Sequence, residues 1–269
     1  MAGLTDEMLS TAVGKVAVAR GGAGRPVVYL HSATGEGAGF GLLEELADSF
    51  DVVAPVFPGF GESEGLDAID DVEDAAFHVL DVLDVLGLDR PALVGQSLGA
   101  WIAVEVATRW PDRLSALVLV SPVGLHVDGA PIGEIFGRDP AELAADLIAD
   151  ESHPIRQAAQ MMSAAAESKQ EIPFELVKPL LQSLAATAKV GWDPYLHNPK
   201  LAKRLHRVAV PTLVVHGEED RLVPVAHTDR YVGGIPGATR ADVAGAGHLL
   251  ALEQPAELAR LIREFLSAQ

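Results

Sequence analysis

The chain has 269 residues, no cysteine and a formal net charge of −18, which comes from 38 acidic and 20 basic residues. Without cysteine it can form no disulfide, no thiolate nucleophile and no Cys-ligated metal site. The acidic excess argues against nucleic acid as the main partner, because phosphate backbones are bound by basic surfaces. With 49% hydrophobic residues, the chain can bury the core of one domain, or of one domain with a large insertion.

The first ten residues include Asp6 and Glu7 but neither a basic start nor an apolar segment, so no signal peptide is predicted. The most apolar stretch, around 116–120, is far shorter than the roughly 20 residues of a membrane-spanning helix. The sequence therefore predicts a cytoplasmic protein with no membrane partner, and it leaves the oligomeric state open.

Short apolar runs alternate with helical patterns along most of the chain. Near-continuous apolar runs are typical of strands buried on both faces, and five are predicted, at 27–31, 51–55, 92–95, 116–120 and 212–216. Helices are predicted at 38–48, 71–87, 98–110, 225–232 and 255–267. This alternation is typical of an α/β fold with a doubly wound, mostly parallel sheet.

The alternation stops after the run at 116–120 and resumes near residue 208. Between them the sequence predicts helices, at 141–150, 154–167 and 174–188, and no strand. A helical segment inserted into an α/β alternation is typical of a cap subdomain. We therefore expect a core formed by residues 1–121 and 208–269, and a helical cap formed by residues 122–207.

The pattern G-x-S-x-G occurs twice, around Ser63 and around Ser97. Ser63 lies in a loop of Pro, Gly and acidic residues with no strand immediately before it. Ser97 follows a predicted strand and precedes a predicted helix, which is the setting of a nucleophile elbow. The N–H of Leu98, at the start of that helix, would then point toward an oxyanion. A serine N-cap at a Gly-rich turn is the alternative interpretation.

A serine nucleophile needs a base and an acid that orients the base, in the chain order Ser, Asp or Glu, His for this kind of elbow. Asp220 follows the predicted strand at 212–216, at the sheet edge where ligands collect. His248 lies in a Gly-rich loop just before the last predicted helix. Three other residues are alternatives for the acid: Asp128, Glu218 and Glu219.

These motifs resemble those of the α/β-hydrolase superfamily with a helical cap. The resemblance rests on GQSLG at 95–99, the G-x-x-D-x-x-x-P run at 217–224, the pair Gly247-His248 and the loop from Asp51 through PGFGES at 58–63. It extends from about residue 27 to the end of the chain and is weakest through the cap.

The resemblance implies Ser97 as nucleophile, His248 as base and Asp220 as the acid. It also implies that Ala33 supplies a second oxyanion N–H and that His31 supports that loop. One departure concerns Ser32, which stands where the superfamily usually has glycine after the histidine. Glycine reaches backbone shapes that serine adopts less easily, so this departure bears on the geometry of the half of the oxyanion hole that Ala33 supplies.

The predicted reaction is hydrolysis of carboxylic esters of small neutral substrates through an acyl-enzyme. Hydrolysis of carbon–carbon bonds in ring-cleavage diketones, lactone hydrolysis and a small-molecule receptor with vestigial hydrolysis are the alternatives. Serine at the elbow argues against the relatives that use aspartate there, the haloalkane dehalogenases and epoxide hydrolases.

No metal site is predicted, because no two-histidine spacing of the metalloprotease type occurs. No cofactor is predicted either. Within the cap, large side chains are candidates either for substrate contact or for packing of the cap on the core. Four of them are predicted as substrate contacts: Phe136, Met161, Trp192 and His197.

Overall fold

The computed structural model describes residues 3–37 and 39–269. Eight strands form one sheet: β1 (Thr5–Thr11), β2 (Gly14–Gly22), β3 (Pro26–Leu30), β4 (Asp51–Pro55), β5 (Ala92–Gln96), β6 (Ala116–Val120), β7 (Thr212–Gly217) and β8 (Thr239–Val243). Their order across the sheet is β1-β2-β4-β3-β5-β6-β7-β8. β2 pairs antiparallel with β1 and β4, and all neighbouring pairs from β4 to β8 are parallel.

Nine α-helices connect or follow these strands in the described part of the chain. They are α1 (Gly41–Ala47), α2 (Val72–Val85), α3 (Leu98–Arg109), α4 (Pro140–Leu147), α5 (Pro154–Glu167), α6 (Phe174–Gly191), α7 (Val225–Gly234), α8 (Leu250–Glu253) and α9 (Pro255–Ser267). None of them is long and apolar enough to cross a membrane.

The central strands are buried because helices cover both faces of the sheet. Alternate residues of β6 show this: Leu117 and Leu119 pack in the cluster that includes α2 and α3, whereas Val118 packs in the cluster that includes α1 and α9. Every residue of β5 and β6 is buried. Burial on both faces explains why these strands are continuous apolar runs in the sequence.

The predicted α/β fold with a mostly parallel sheet is confirmed, and all five predicted strands are present. Three strands of the sheet, β1, β2 and β8, were not predicted. β1 and β8 are the edge strands, and most of their residues are exposed or half-buried. β2 buries only part of its residues. β1 and β8 carry no continuous apolar run, which was the signal used, and β2 carries only the short run from Val16 to Ala19, which was not counted.

The predicted helices of the core are also present, with ends that differ by a few residues. α2 begins after Asp71, whose carboxylate accepts hydrogen bonds from the N–H groups of Glu73 and Asp74 and so caps the helix. The helix predicted at 38–48 begins at a position outside the described residues, and its described part is α1. Helix α8, a single turn, was not predicted.

Residues 122–207, which we call the cap segment, join β6 to β7 and contain α4, α5 and α6. The rest of the chain is called the core segment. The part of the cap segment that leads back to the core is hydrogen-bonded to the start of the segment. The Gly124 N–H donates to the Leu196 carbonyl, and the Asn198 N–H donates to the Gly124 carbonyl. This clasp fixes where the cap segment leaves and re-enters the core.

Candidate active site

Ser97 lies in the turn between β5 and α3 with a φ of 53° and a ψ of −109°. Non-glycine residues rarely adopt this strained conformation. A Cβ on Gly95 would overlap the carbonyl of Gly99, and a Cβ on Gly99 would overlap the carbonyl of Leu30. The close approach of α3 to the strands therefore requires glycine at both positions, which explains the G-x-S-x-G spacing physically.

Ser97, His248 and Asp220 form a continuous hydrogen-bonded row. The Ser97 hydroxyl lies 2.8 Å from His248 Nε2, and His248 Nδ1 lies 2.9 Å from Asp220 Oδ2. The three residues follow β5, β8 and β7, whose carboxyl ends share one edge of the sheet. The His248 and Asp220 side chains are fully buried, so water does not compete for these contacts.

The second carboxylate oxygen of Asp220 accepts hydrogen bonds from the N–H groups of Leu222, at 3.0 Å, and Val223, at 2.8 Å. Burial raises the pKa of this carboxyl, but the charge and hydrogen bond of His248 and the Val223 N–H outweigh it and lower the pKa below its usual value. Asp220 is therefore held as a carboxylate that accepts the Nδ1 proton of His248. This leaves Nε2 free to accept the proton of Ser97.

The other candidates for the acid and the nucleophile lie elsewhere. Glu218 and Glu219 are exposed, and Asp128 is an exposed residue beside His126. The Ser63 hydroxyl donates to the Val56 carbonyl and accepts from the Ala17 N–H, so it ties a loop to β2. The second G-x-S-x-G match therefore has a purely structural use.

Two N–H groups are available for an oxyanion beside Ser97. Ser97 donates its own N–H to the Val120 carbonyl at 2.9 Å. The N–H groups of Leu98 and Ala33 make no hydrogen bond to any described residue, and both residues line the cavity at Ser97. These are the two positions that the sequence predicted for the oxyanion hole.

His31 supports the loop that carries Ala33. Its Nε2 accepts the Phe57 N–H at 2.8 Å, so Nδ1 carries the proton and donates to the Ser32 carbonyl. The ring makes edge-to-face contacts with those of Phe57 and Phe60, and burial lowers its pKa. His31 is therefore held neutral. Ser32 is not among the residues with positive φ, so serine fits this position without backbone strain.

The cavity above Ser97 has a volume of about 560 Å³, part of which is open to solvent. The core segment contributes Ser32, Ala33, Thr34, Ser97, Leu98, His248 and Leu249 to its wall, together with Leu222. The helices of the cap segment contribute Leu143 and Leu147 from α4 and Leu180, Leu184 and Thr187 from α6. Among the described residues that line it, none is Asp, Glu, Lys or Arg.

The four cap residues predicted as substrate contacts do not line this cavity, which corrects that prediction. Met161 is 74% exposed, on α5, a helix that contributes nothing to the cavity wall. Trp192 is 62% exposed and packs on Phe136 beside the α6 end. His197 belongs to the clasp with Gly124 and stacks on His126. The leucines of α4 and α6 take the place that these residues were expected to fill.

Glu253 is a site residue that the sequence analysis missed. Its Oε2 accepts the N–H of Gly247, the residue before His248, at 2.7 Å. Its Oε1 accepts the N–H groups of Ala149, at 2.7 Å, and Asp150, at 3.1 Å, just beyond α4. One carboxylate thus joins the histidine loop to the cap segment. Ala149 and Asp150 lie about a hundred positions from Glu253, so no local pattern could have indicated that it joins these two segments.

In the described part of the chain, no group of three or more His, Asp or Glu side chains could hold a metal ion. The site therefore consists of a serine, a histidine, a carboxylate, two free N–H groups and an apolar cavity.

Comparison with known proteins agrees with this fold. A family model described as the alpha/beta hydrolase fold matches residues 25–255. The chain is 28% identical over 271 residues to a 2-hydroxy-6-oxo-2,4-heptadienoate hydrolase of Pseudomonas putida, covering 92% of this chain and 91% of that protein. It is 27% identical to the dihydrolipoyllysine-residue acetyltransferase component of an acetoin cleaving system of Cupriavidus necator, covering 92% of this chain but only 65% of that protein.

A solved structure of a thermophilic esterase from Thermogutta terrifontis superposes with a TM-score of 0.73 at 23% identity, covering 98% of both chains. At that identity the likeness concerns the fold.

Proposed function

Because the chain belongs to the α/β-hydrolase fold family, and is a hydrolase, we propose that it cleaves carboxylic esters of small neutral substrates with Ser97 as the nucleophile. Residues 122–207 act as the cap over this site in the proposal, and Asp220 and His248 complete the triad. The row of hydrogen bonds from Ser97 to Asp220 supports this assignment.

In the proposed mechanism, His248 Nε2 takes the Ser97 proton while Oγ attacks the ester carbonyl carbon. Asp220 stabilises the imidazolium that forms, and the N–H groups of Leu98 and Ala33 stabilise the oxyanion. His248 then gives its proton to the leaving alcohol, which leaves an acyl-Ser97. A water molecule that loses a proton to His248 attacks the acyl group, and the acid and free Ser97 are released.

The single observation that favours neutral esters is the absence of a charge-binding group from the described cavity wall. The Ser32 and Thr34 hydroxyls donate to the Glu36 carboxylate, and the Thr187 hydroxyl donates to the Ser183 carbonyl. A substrate that carries a carboxylate beside the scissile carbonyl group would therefore lose the water bound to that carboxylate without gaining a hydrogen-bond donor, which is costly. The remaining donors belong to the proposed catalytic groups.

Hydrolysis of a carbon–carbon bond is the second candidate, and the similarity to the Pseudomonas putida hydrolase favours it. A dienoate, the substrate type in that protein's name, carries a carboxylate. The charge of the substrate therefore separates the two candidates. Lactone hydrolysis and a receptor with slow hydrolysis use the same site and are decided by the same experiment.

The experiment compares p-nitrophenyl butyrate with mono-p-nitrophenyl succinate, which have acyl groups of the same length that end in a methyl group or a carboxylate. A ring-cleavage dienoate and a lactone are assayed in parallel, with S97A as the blank. We expect kcat/KM for the butyrate to exceed that for the succinate and the dienoate by at least about 100-fold, since an unpaired buried charge costs several kcal/mol. A preference for the dienoate, or tight binding with slow turnover of every compound, would overturn the proposal.

A further inference from the structure

We propose that Glu36 is a positioning residue, whose buried carboxylate holds the loop of residues 31–36 so that the Ala33 N–H faces the reacting carbonyl. The inference rests on the proposed function, because it assigns Glu36 a part in stabilising the oxyanion formed when Ser97 attacks. Glu36 does not itself touch the substrate.

Glu36 makes three short hydrogen bonds inside its own loop. Its Oε2 accepts the Ser32 N–H at 2.7 Å, and its Oε1 accepts the hydroxyls of Ser32, at 2.7 Å, and Thr34, at 2.9 Å. The side chain is buried, with only 8% of the residue exposed. Charge-assisted hydrogen bonds of this length are among the strongest that a side chain makes.

Hydrogen bonds within the loop engage the N–H groups on both sides of Ala33 and leave that of Ala33 without a partner in the described structure. Glu36 engages the Ser32 N–H, the Ser32 hydroxyl accepts the Thr34 N–H at 3.1 Å, and the Ser32 carbonyl accepts the Gly35 N–H at 3.3 Å. Among residues 32–35, only the Ala33 N–H has no partner in the described structure. The network therefore fixes the peptide on each side of Ala33 and directs its N–H to the cavity.

The arrangement requires a carboxylate rather than an amide. A carboxylate offers two acceptor oxygens, and here both are used. Glutamine has nearly the same shape but only one acceptor oxygen, so its NH₂ group would face either the Ser32 N–H or the two hydroxyls. The substitution E36Q therefore breaks the network without removing volume.

Glu36 could instead serve only to keep the loop folded. The two roles differ in what they change: a positioning role affects the stage at which charge develops on the carbonyl oxygen, whereas a purely structural role affects stability and the binding of every ligand. A readout of the transition state is therefore needed beside a readout of the ground state.

The test measures the rate of labelling by a fluorophosphonate probe and the affinity of a trifluoromethyl ketone, whose adduct with a serine carries an oxyanion. The affinity of a neutral ester-like competitor that forms no adduct and the melting temperature are measured alongside. E64Q is the matched control. Glu64 also accepts a backbone hydrogen bond, from the Lys15 N–H at 3.1 Å, but it lies away from the site. T34V removes one donor to Glu36 while preserving most of the side-chain shape.

We expect E36Q to slow labelling and weaken trifluoromethyl ketone binding by about 10- to 100-fold, since loss of a whole oxyanion donor costs about 100- to 1,000-fold. T34V should give a smaller loss in both readouts. E64Q should change neither, and competitor affinity in E36Q should stay within about twofold of wild type. Should E36Q fail to fold, T34V gives the same comparison.

Unchanged labelling and ketone affinity in E36Q or T34V would overturn the inference, as would an equal loss in competitor affinity. A wild type that is labelled but hydrolyses no ester contradicts the proposed function alone, because the ratio of labelling rates still reports on Glu36. A wild type that is not labelled removes both proposals.

Discussion

The two walls of the cavity are built differently. The core wall, whose residues follow β3, β5, β7 and β8, carries polar groups that are fixed by hydrogen bonds, such as His248, whose Nδ1 lies 2.9 Å from the buried Asp220 carboxylate. The cap wall is apolar except at one residue, and it consists of four leucines from α4 and α6 together with Val123, Ile135, Leu196 and Thr187. Its polar group, Thr187, bonds within its own helix.

This difference corresponds to the two tasks of the proposed site, which are catalysis and substrate selection. Position matters to about an ångström for proton transfer and oxyanion stabilisation, so those groups lie on rigid strand ends. Apolar contacts are non-directional, so the cap wall can select substrates by size while tolerating changes of shape. We therefore expect core-wall substitutions to alter kcat and cap-wall substitutions to alter substrate preference.

The largest effect is expected from D220N, which changes the carboxylate that holds His248 behind the core wall. Asparagine leaves the shape unchanged but favours the wrong tautomer of His248, so we expect kcat for p-nitrophenyl butyrate to fall by about 1,000- to 10,000-fold with little change in KM. E218Q, in the exposed residue two positions away, is the control and should retain activity. A large loss in E218Q with a small loss in D220N would assign the acid differently and break the comparison.

A second prediction concerns the acid stability of the core segment. Burial lowers the pKa of four histidines, and all four lie in the core: His31, His78, His216 and His227. For His78, whose ring nitrogens have no hydrogen-bond partner in the described structure, the pKa is about 4. Because the unfolded pKa is about 6.5, protons bind the unfolded state first as the pH falls.

The stability that neutral His78 contributes is therefore complete above pH 6.5 and lost progressively between pH 6.5 and 4. At pH 5 the loss from this residue is about 2 kcal/mol. The free energy of unfolding, measured with urea at pH 7 and at pH 5, should fall by about 2 kcal/mol less in H78L than in wild type. H206Q, which changes an exposed histidine, should lose as much as wild type. Equal losses in H78L and wild type would show that His78 is not the acid-sensitive group.

The junction of the two walls should give an intermediate effect. Glu253 binds the Gly247 N–H on one side and the Ala149 N–H on the other, and the Leu249 N–H donates to the Leu147 carbonyl beside it. E253Q keeps one acceptor, so we expect about a tenfold loss of kcat together with a change of KM. E257Q, at an exposed position of α9 that pairs with Arg260, is the control. An effect on KM alone would mean that the junction serves only the cap.

The smallest effect is expected from the cap wall. L184A enlarges the apolar part of the cavity and should shift preference toward longer acyl chains by about 10-fold, since one methylene is worth about 1–3 kcal/mol in a pocket. M161A, on the outer side of the cap segment, should leave the chain-length profile unchanged. If M161A shifts the profile and L184A does not, the cap wall has been assigned to the wrong helices.

The same division explains how much the sequence predicted. Gly95 and Gly99 lie within one five-residue pattern because the close approach of α3 to the strands requires glycine at both positions. The setting between a predicted strand and a predicted helix then distinguished this match from the one around Ser63. Asp220 and His248 are distant in sequence, but Asp220 follows a predicted strand and His248 lies in a Gly-rich loop just before a predicted helix.

The cap contacts depend on which face α4 and α6 turn to the core, and tertiary packing decides this rather than local pattern. For that reason aromatic residues such as Trp192 were predicted as substrate contacts, whereas the leucines that line the cavity were not. Glu36 and Glu253 look like surface acids in the sequence and gain their roles only through hydrogen bonds to other segments or to their own loop.

The most direct test of the account is the site of fluorophosphonate modification, measured by intact mass and peptide mapping in wild type, S97A and S63A. Ser63 offers the same G-x-S-x-G string with a hydroxyl held by the Val56 carbonyl and the Ala17 N–H. The account predicts one label per chain on Ser97 in wild type and S63A, and none in S97A. A label on Ser63, or labelling that persists in S97A, would contradict it.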